Sequence, residues 1–183
     1  LLVDECGKGI AISDCYSLEL SGDPSKNLQD RDLDSSRQRI EFLTLGVADR
    51  TTQKFKWRFY LSSQTKTKNF FHLMQVLSRG DSGPIVTLDA VSDRIMIKDY
   101  KRDCDVTGCP SIPLDRFTDR TTVHFVTVTF GPKGSVEYVI KDAADESVAL
   151  LSYSVKGAMG TAMLSSIKFG TYRLAVDGMT KSL

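Results

Sequence analysis

Three short stretches carry side chains suited to work on an anionic polymer. In "RQRIE" (37–41), Arg37, Arg39 and Glu41 share one parity, so a strand sends all three to one face. Arg39 can meet a carboxylate through its planar fork with Glu41 to orient it, and a cross-strand charge ladder is the structural alternative. In "FHLMQVLS" (71–78), Gln75 is uncharged and both donates and accepts, so it can hold an anionic oxygen without fixing a proton there. His72 has the opposite parity. A regular strand turns it to the other face, and the two share a site only where a bulge intervenes or one projects from the strand end. Gln75, with Leu73 and Leu77 beside it, is the groove-facing candidate. In "SIKFGTYR" (166–173), Lys168, Gly170 and Tyr172 have one parity. Gly170 leaves space for a ligand or marks a strand bend. A lysine beside Tyr172 favours the phenolate, a competent proton-transfer group, and a tyrosine that merely packs is the alternative.

Much chemistry is excluded. There is no P-loop, dinucleotide glycine fingerprint, HExxH or GxSxG. The two histidines, His72 and His124, cannot build a histidine-rich metal centre, and "TVHFVTV" places His124 among strand formers as a packed sheet residue. The segment 21–36 holds Asp23, Asp30, Asp32 and Asp34, which reads as an exposed loop that is either solvated or able to bind calcium. Basic and acidic residues number 24 and 23, so no overall field calls for nucleic acid or a cationic partner. No apolar run reaches the length of a membrane span. The start, "LLVDECGKGI", lacks an apolar targeting segment, as in a cytosolic chain or one whose signal has been removed. Four cysteines fall in two close pairs, Cys6 with Cys15 and Cys104 with Cys109. Their spacings of nine and five suit short disulfide loops better than the rival zinc knuckle, which favours a secreted chain.

The elements that position these groups are strands. Period two runs through 37–45, 54–62, 84–100, 121–130, 135–142, 148–155 and 162–174, with a shorter strand at 16–20 and a "GPKG" turn between two of them. One helical turn is expected after Pro113, and no sustained helical stripe occurs. Around ten strands in 183 residues, many apolar on both faces, predict one all-β domain over 1–183. Its architecture is a jelly-roll β-sandwich of two stacked antiparallel sheets, concanavalin A-like, with Arg, Glu, Gln, Lys and Tyr lining a concave groove. Trp57, the single tryptophan, alternates with Phe55 and Phe59 and is expected in the core, which lends little help to glycan binding by stacking.

The ordered set "DSSRQRIEF", "FKWRFYLS", "FFHLMQV", "GPIVTLDA" and "IKFGTYR" resembles the fungal glucuronan lyases and related β-jelly-roll polysaccharide lyases, over Arg37 to Arg173. The related alginate lyase pattern has an arginine–glutamate strand, a glutamine–x–histidine strand and a lysine–x–glycine–x–tyrosine strand. By position the resemblance implies Arg39 and Glu41, then Gln75, then Lys168, Gly170 and Tyr172. Leu77 stands where that pattern has histidine, which points away from alginate and toward a glucuronan type relying on glutamine and tyrosine, with His72 assisting. The implied reaction is β-elimination at a uronic acid. Gln75 with Arg39 neutralises the C5 carboxylate, and Tyr172 exchanges protons with C5, with the leaving oxygen, or with both in turn. The resemblance further implies a structural calcium ion. A secreted monomer acting on an acidic polysaccharide or other glycan, without nucleic acid or membrane, is the resulting expectation. A lectin-like carbohydrate-binding protein without turnover is the alternative, and a structural or interaction protein the third.

Overall fold

The computed structural model of the chain describes residues 2–3, 6–7, 10–26, 28, 36–65, 68–79, 83–161 and 164–178. Alternating runs rich in β-branched and aromatic residues become strands, and Gly, Asp and Ser punctuate them. A small hairpin opens the chain, β1 (Leu2–Val3) pairing with β2 (Cys15–Tyr16), and the Cys6–Cys15 disulfide closes it. There follow β3 (Arg37–Leu43), β4 (Thr52–Tyr60), β5 (Phe71–Ser78), β6 (Pro84–Val91) and β7 (Arg94–Asp99). The single turn of helix α1 (Cys104–Thr107) lies inside the second disulfide, Cys104–Cys109, capped by Asp103 and ended by Gly108 in the left-handed region. Next come β8 (Ser111–Pro113), the expected helical turn as a short 3₁₀ helix at Leu114–Arg116, β9 (Thr121–Thr129), β10 (Ser135–Asp142), β11 (Asp145–Lys156) and β12 (Ser165–Leu174). The expected strand at 16–20 shrinks to Cys15–Tyr16, and α1 and β8 are too short to show a periodic signal.

The long strands form two antiparallel sheets, one in the order β11-β10-β9-β4 and one in the order β3-β12-β5-β6-β7-β8. Their inner faces share a core. Phe55, Trp57 and Phe59 of β4 pair with Val126, His124 and Thr122 of β9 on one side. Ile167 with Val76, Phe169 with Met74 and Leu88 with Ile97 lie on the other. Trp57 is stacked between His124 and Phe169, at ring centroid distances of 4.8 and 5.1 Å, so it bridges the two layers and offers no open platform for a sugar. The chain passes from β3 across to β4, back for β5 to β8, across again for β9 to β11, and returns as β12. That return inserts β12 between β3 and β5, joining segments more than a hundred residues apart.

Two of the buried polar side chains, Arg173 and His124, organise hydrogen bonds inside this core. Arg173 is buried opposite its pair partner Gln38, to which its Nε donates at 3.1 Å, while a second guanidinium nitrogen donates to Ser21 O. Gln38 in turn donates to the carbonyls of Asp23 and Lys26, tying the loop before β3 to the sheet. Burial lowers the Arg173 pKa to about 10, so the group stays charged at neutral pH. His124 sits in a directed chain of hydrogen bonds. Thr122 Oγ1 donates its one proton to Phe59 O, so it accepts from His124 Nε2 at 2.9 Å. Nδ1 then accepts from the Tyr138 hydroxyl at 2.7 Å. A neutral imidazole satisfies every partner, as a packed sheet histidine should.

Burial depresses the His124 pKa from 6.5 to about 3. The unfolded chain takes up this proton near pH 6.5 and the folded chain does not, so the group's contribution is complete above 6.5 and is lost as pH falls toward 3. The loss amounts to several kcal/mol at most, about 1.4 per pKa unit. Urea denaturation between about pH 6.5 and 4.5, above the carboxylate range, is expected to show stability falling with acidification. His124→Gln should flatten that slope. A parent whose stability is level over this range contradicts the assignment.

Candidate active site

The outer face of the six-stranded sheet gathers the chemistry, and its geometry follows from register. Directly paired residues share a face. Against β3, β12 is regular, with Tyr172 opposite Arg39, Gly170 opposite Glu41 and Lys168 opposite Leu43. Against β5 it slips by one residue. Lys168 faces Gln75 and Phe169 faces Met74, yet Tyr172 faces His72. Gly170 and Thr171 on β12 therefore span a single residue, Leu73, on β5. The same residue is extra against β6, where His72 pairs with Asp89 and Gln75 with Thr87. Leu73 absorbs the slip, and His72 and Gln75 emerge on one face despite their opposite parity. The expectation that strand alternation separates them is overturned by this bulge.

Two rows of side chains result. One runs Arg39, Tyr172, His72, Asp89 across β3, β12, β5 and β6. The other holds Lys168, Gln75 and Thr87, with Lys98 of β7 opposite Thr87. The Arg39 guanidinium lies 4.0 Å from the centroid of the Tyr172 ring. Phe70 stacks on the His72 ring at 4.7 Å, and both of these rings meet Tyr172 edge-on, at 5.2 and 5.3 Å. Arg37 lies further along β3, its guanidinium 6.0 Å from the Phe70 ring centroid. Tyr172, His72 and Gln75 are nearly buried, at 9, 6 and 4% exposure, so charges beside them are weakly screened.

Two sequence-based pairings change partners. Glu41 does not serve Arg39. Its carboxylate accepts from Gln75 Nε2 on one oxygen and faces Lys168 Nζ at 3.5 Å on the other. It reaches them across Gly170, its pair partner, which has no side chain to block the way. Lys168 and Tyr172 are four residues apart on β12, about 13 Å along an extended strand. The cation packed on the Tyr172 ring is thus Arg39, while Lys168 turns to Glu41. Gly170 has φ +139, and a Cβ there would meet Ile40 O at 2.5 Å and Glu41 Cα at 2.9 Å. Its smallness serves the close approach of β3 and the strand bend, not the approach of a ligand.

Sequence reasoning missed Asp89. It is fully buried, accepts from His72 Nδ1 at 2.5 Å and faces Lys98 Nζ at 3.3 Å. Burial pushes its carboxyl up, but the hydrogen bond and charge of His72, with Thr87 and Lys98, outweigh that and hold it below 3.8. Tyr100, just after β7, is pushed above its ordinary value by burial and by the charge of Asp89. The signal in the sequence was a lone acid inside the apolar strand "IVTLDAV".

No cluster of three or more His, Cys, Asp or Glu side chains able to hold a metal occurs among the described residues. Of the acidic loop, Asp23 is described, and its carboxylate accepts from the Ser25 backbone and hydroxyl. Asp30, Asp32 and Asp34 lie outside the described residues. A cavity of about 720 Å³ lies elsewhere, beneath the N-terminal hairpin and against the inner-face residues Phe42, Trp57 and Phe169. It is apolar and does not adjoin the charged rows.

No family model matches the chain, and no curated protein matches it in sequence. Among solved structures it is similar to the alginate lyase AlgAT5 from polysaccharide lyase family 7, with TM-score 0.51 and 13% identity over 81% of this chain and 66% of that one. It thus spans just under two thirds of that enzyme's length. A second likeness is to the botulinum neurotoxin type G receptor binding domain, with TM-score 0.38 and 13% identity over 78% of this chain and 36% of that one. The first supports a jelly-roll sandwich of the polysaccharide lyase type at the level of fold, and nothing is drawn from the second.

Gly170→Ala should destabilise the chain by roughly 2–4 kcal/mol, since both φ and the β3 backbone oppose a Cβ. Gly83→Ala, also at positive φ but in open space, should cost only about 1–2 kcal/mol. Urea midpoints of the two variants check the contrast, and equal shifts would contradict the close approach of β3.

Proposed function

We propose that the chain is a polysaccharide lyase that cleaves a uronic-acid polysaccharide by β-elimination. The observation that carries this reading is the slipped register, which sets Arg39, Tyr172, His72, Gln75 and Lys168 on one sheet face. The Gln75 amide donates one N–H to Glu41, and its second N–H and its carbonyl oxygen remain for a substrate. With Arg39 and Lys168 it would meet the C5 carboxylate and stabilise the enolate that develops there. Tyr172, with His72 next to it, handles the protons. The C5 proton leaves to a base, its electron pair becomes the C4–C5 double bond, the C4–O bond breaks, and the departing oxygen gains a proton. No hydrolytic water enters.

The favoured polymer is glucuronan, because Leu77, opposite Ser166 on the same face as Gln75, gives no imidazole where the alginate pattern places one. The reading also takes the protein as exported, in keeping with its two disulfides. Calcium in this reading has a structural role that involves none of the steps above.

Incubation with glucuronan, alginate and other polyuronates, with and without calcium, should yield the ultraviolet absorbance of an unsaturated uronate. Tyr172→Phe should lower kcat by about 10²–10⁴-fold. Gln75→Ala should lower kcat/KM by a similar factor, and Arg39→Ala should mainly raise KM. Absence of product with every polyuronate rejects the lyase. Glycan binding without turnover, unchanged in Tyr172→Phe, would mark a lectin-like protein instead.

A further inference from the structure

His72 is gripped on three sides. Phe70 stacks on its ring, Tyr172 meets it edge-on, and Nδ1 is hydrogen-bonded to Asp89 Oδ1. That carboxylate is fully buried on β6, and its second oxygen faces Lys98 Nζ from β7. The other titratable groups nearby are Tyr172 of β12, with Arg39 of β3 on its far side, and Tyr100, which is coupled to Asp89 and Thr87. An ionised Asp89 only accepts hydrogen bonds, so the proton between the two residues belongs to Nδ1. A neutral His72 is then the Nδ1–H tautomer, with its lone pair on Nε2. His124 is wired the opposite way, with its proton on Nε2 and its lone pair on Nδ1.

We propose that Asp89 is a positioning residue, which fixes His72 as an Nδ1–H imidazole presenting a basic Nε2 beside Tyr172, while Lys98 holds Asp89 ionised. The proton that this nitrogen handles is the C5 proton only if the lyase reading holds, and the assignment rests on that reading to this extent. Nε2 uses its lone pair to bond the proton, and the C–H electrons pass into the new C4–C5 double bond. Asp89 remains a carboxylate and balances the imidazolium that forms. The Tyr172 hydroxyl gives its proton to the departing oxygen, and transfer from imidazolium to phenolate restores both groups. Lys98, with its side chain 37% exposed, keeps the pair of acid and imidazole from burying an uncompensated negative charge.

The two histidines make the test direct. In the full chain labelled with ¹⁵N-histidine, the two rings should appear as opposite tautomers, His72 as Nδ1–H and His124 as Nε2–H, with His72→Gln assigning the signals. Asp89→Asn should redistribute the His72 tautomers and lower kcat on the polyuronate by about 10²-fold or more, with KM within about threefold. His72 found as Nε2–H, or as imidazolium at the pH of turnover, overturns the proposal. So does Asp89→Asn with tautomer and kcat unchanged. Should Asp89→Asn not fold, the spectrum of the parent decides without it. A chain that cleaves no polyuronate rejects the lyase reading, while the tautomer still answers for Asp89.

Discussion

The polar face depends on how β12 sits between its neighbours. It is regular against β3 and one residue out of step with β5. The first register is locked from inside by Arg173 and Gln38, a buried pair that also ties down the loop before β3. The second is permitted by Gly170, whose φ of +139 bends β12, and is absorbed on β5 by Leu73. Were β12 and β6 to pair regularly with β5, His72 would turn inward beside Met74 and Val76, and Phe71 would turn outward. Asp89 would then stay buried with Lys98 alone and without the hydrogen bond from its imidazole. The slip is therefore held in place by the groups it brings together.

Those groups follow one design twice. Each carboxylate on the face bridges a lysine and an uncharged polar side chain: Glu41 joins Lys168 to Gln75, and Asp89 joins Lys98 to His72. Each acid is thereby set against a cation and fixes the orientation of an uncharged polar side chain. Arg37 and Arg39 lie against the rings of Phe70 and Tyr172. Among these six described residues four are cations and two are anions.

The layers were legible from the sequence because they rest on alternation. The aromatic stripe of β4, the turn at "GPKG" and the two disulfide loops each depend on residues close in the chain. The constellation was legible only in part. Residue type singles out Arg39, Gln75 and Tyr172, which the register sets on one face, but not the partners they meet there. Nothing in "FHLMQ" marks a bulge, since the slip is imposed by a strand almost a hundred residues later. Glu41 was matched to its neighbour Arg39, yet a bare glycine on the next strand let it reach Gln75. Asp89 carries no local sign of its role, because its imidazole lies 17 positions away on another strand.

The two histidines show what separates a closed hydrogen-bond network from a charged one in this fold. Burial does not, for His124 is 1% exposed and His72 is 6%. Both are also hydrogen-bonded on a strand and flanked by aromatic rings. The difference lies in the charge of the partners. His124 is enclosed by two hydroxyls whose donors and acceptors already match a neutral ring, and an added proton would take from the Tyr138 hydroxyl the acceptor to which it donates. His72 abuts a carboxylate that can answer a positive charge, and that carboxylate has its own lysine. A proton arriving at the first ring breaks a network. At the second the ring already stands against a carboxylate, and the hydrogen bonds of the sheet do not depend on its lone pair.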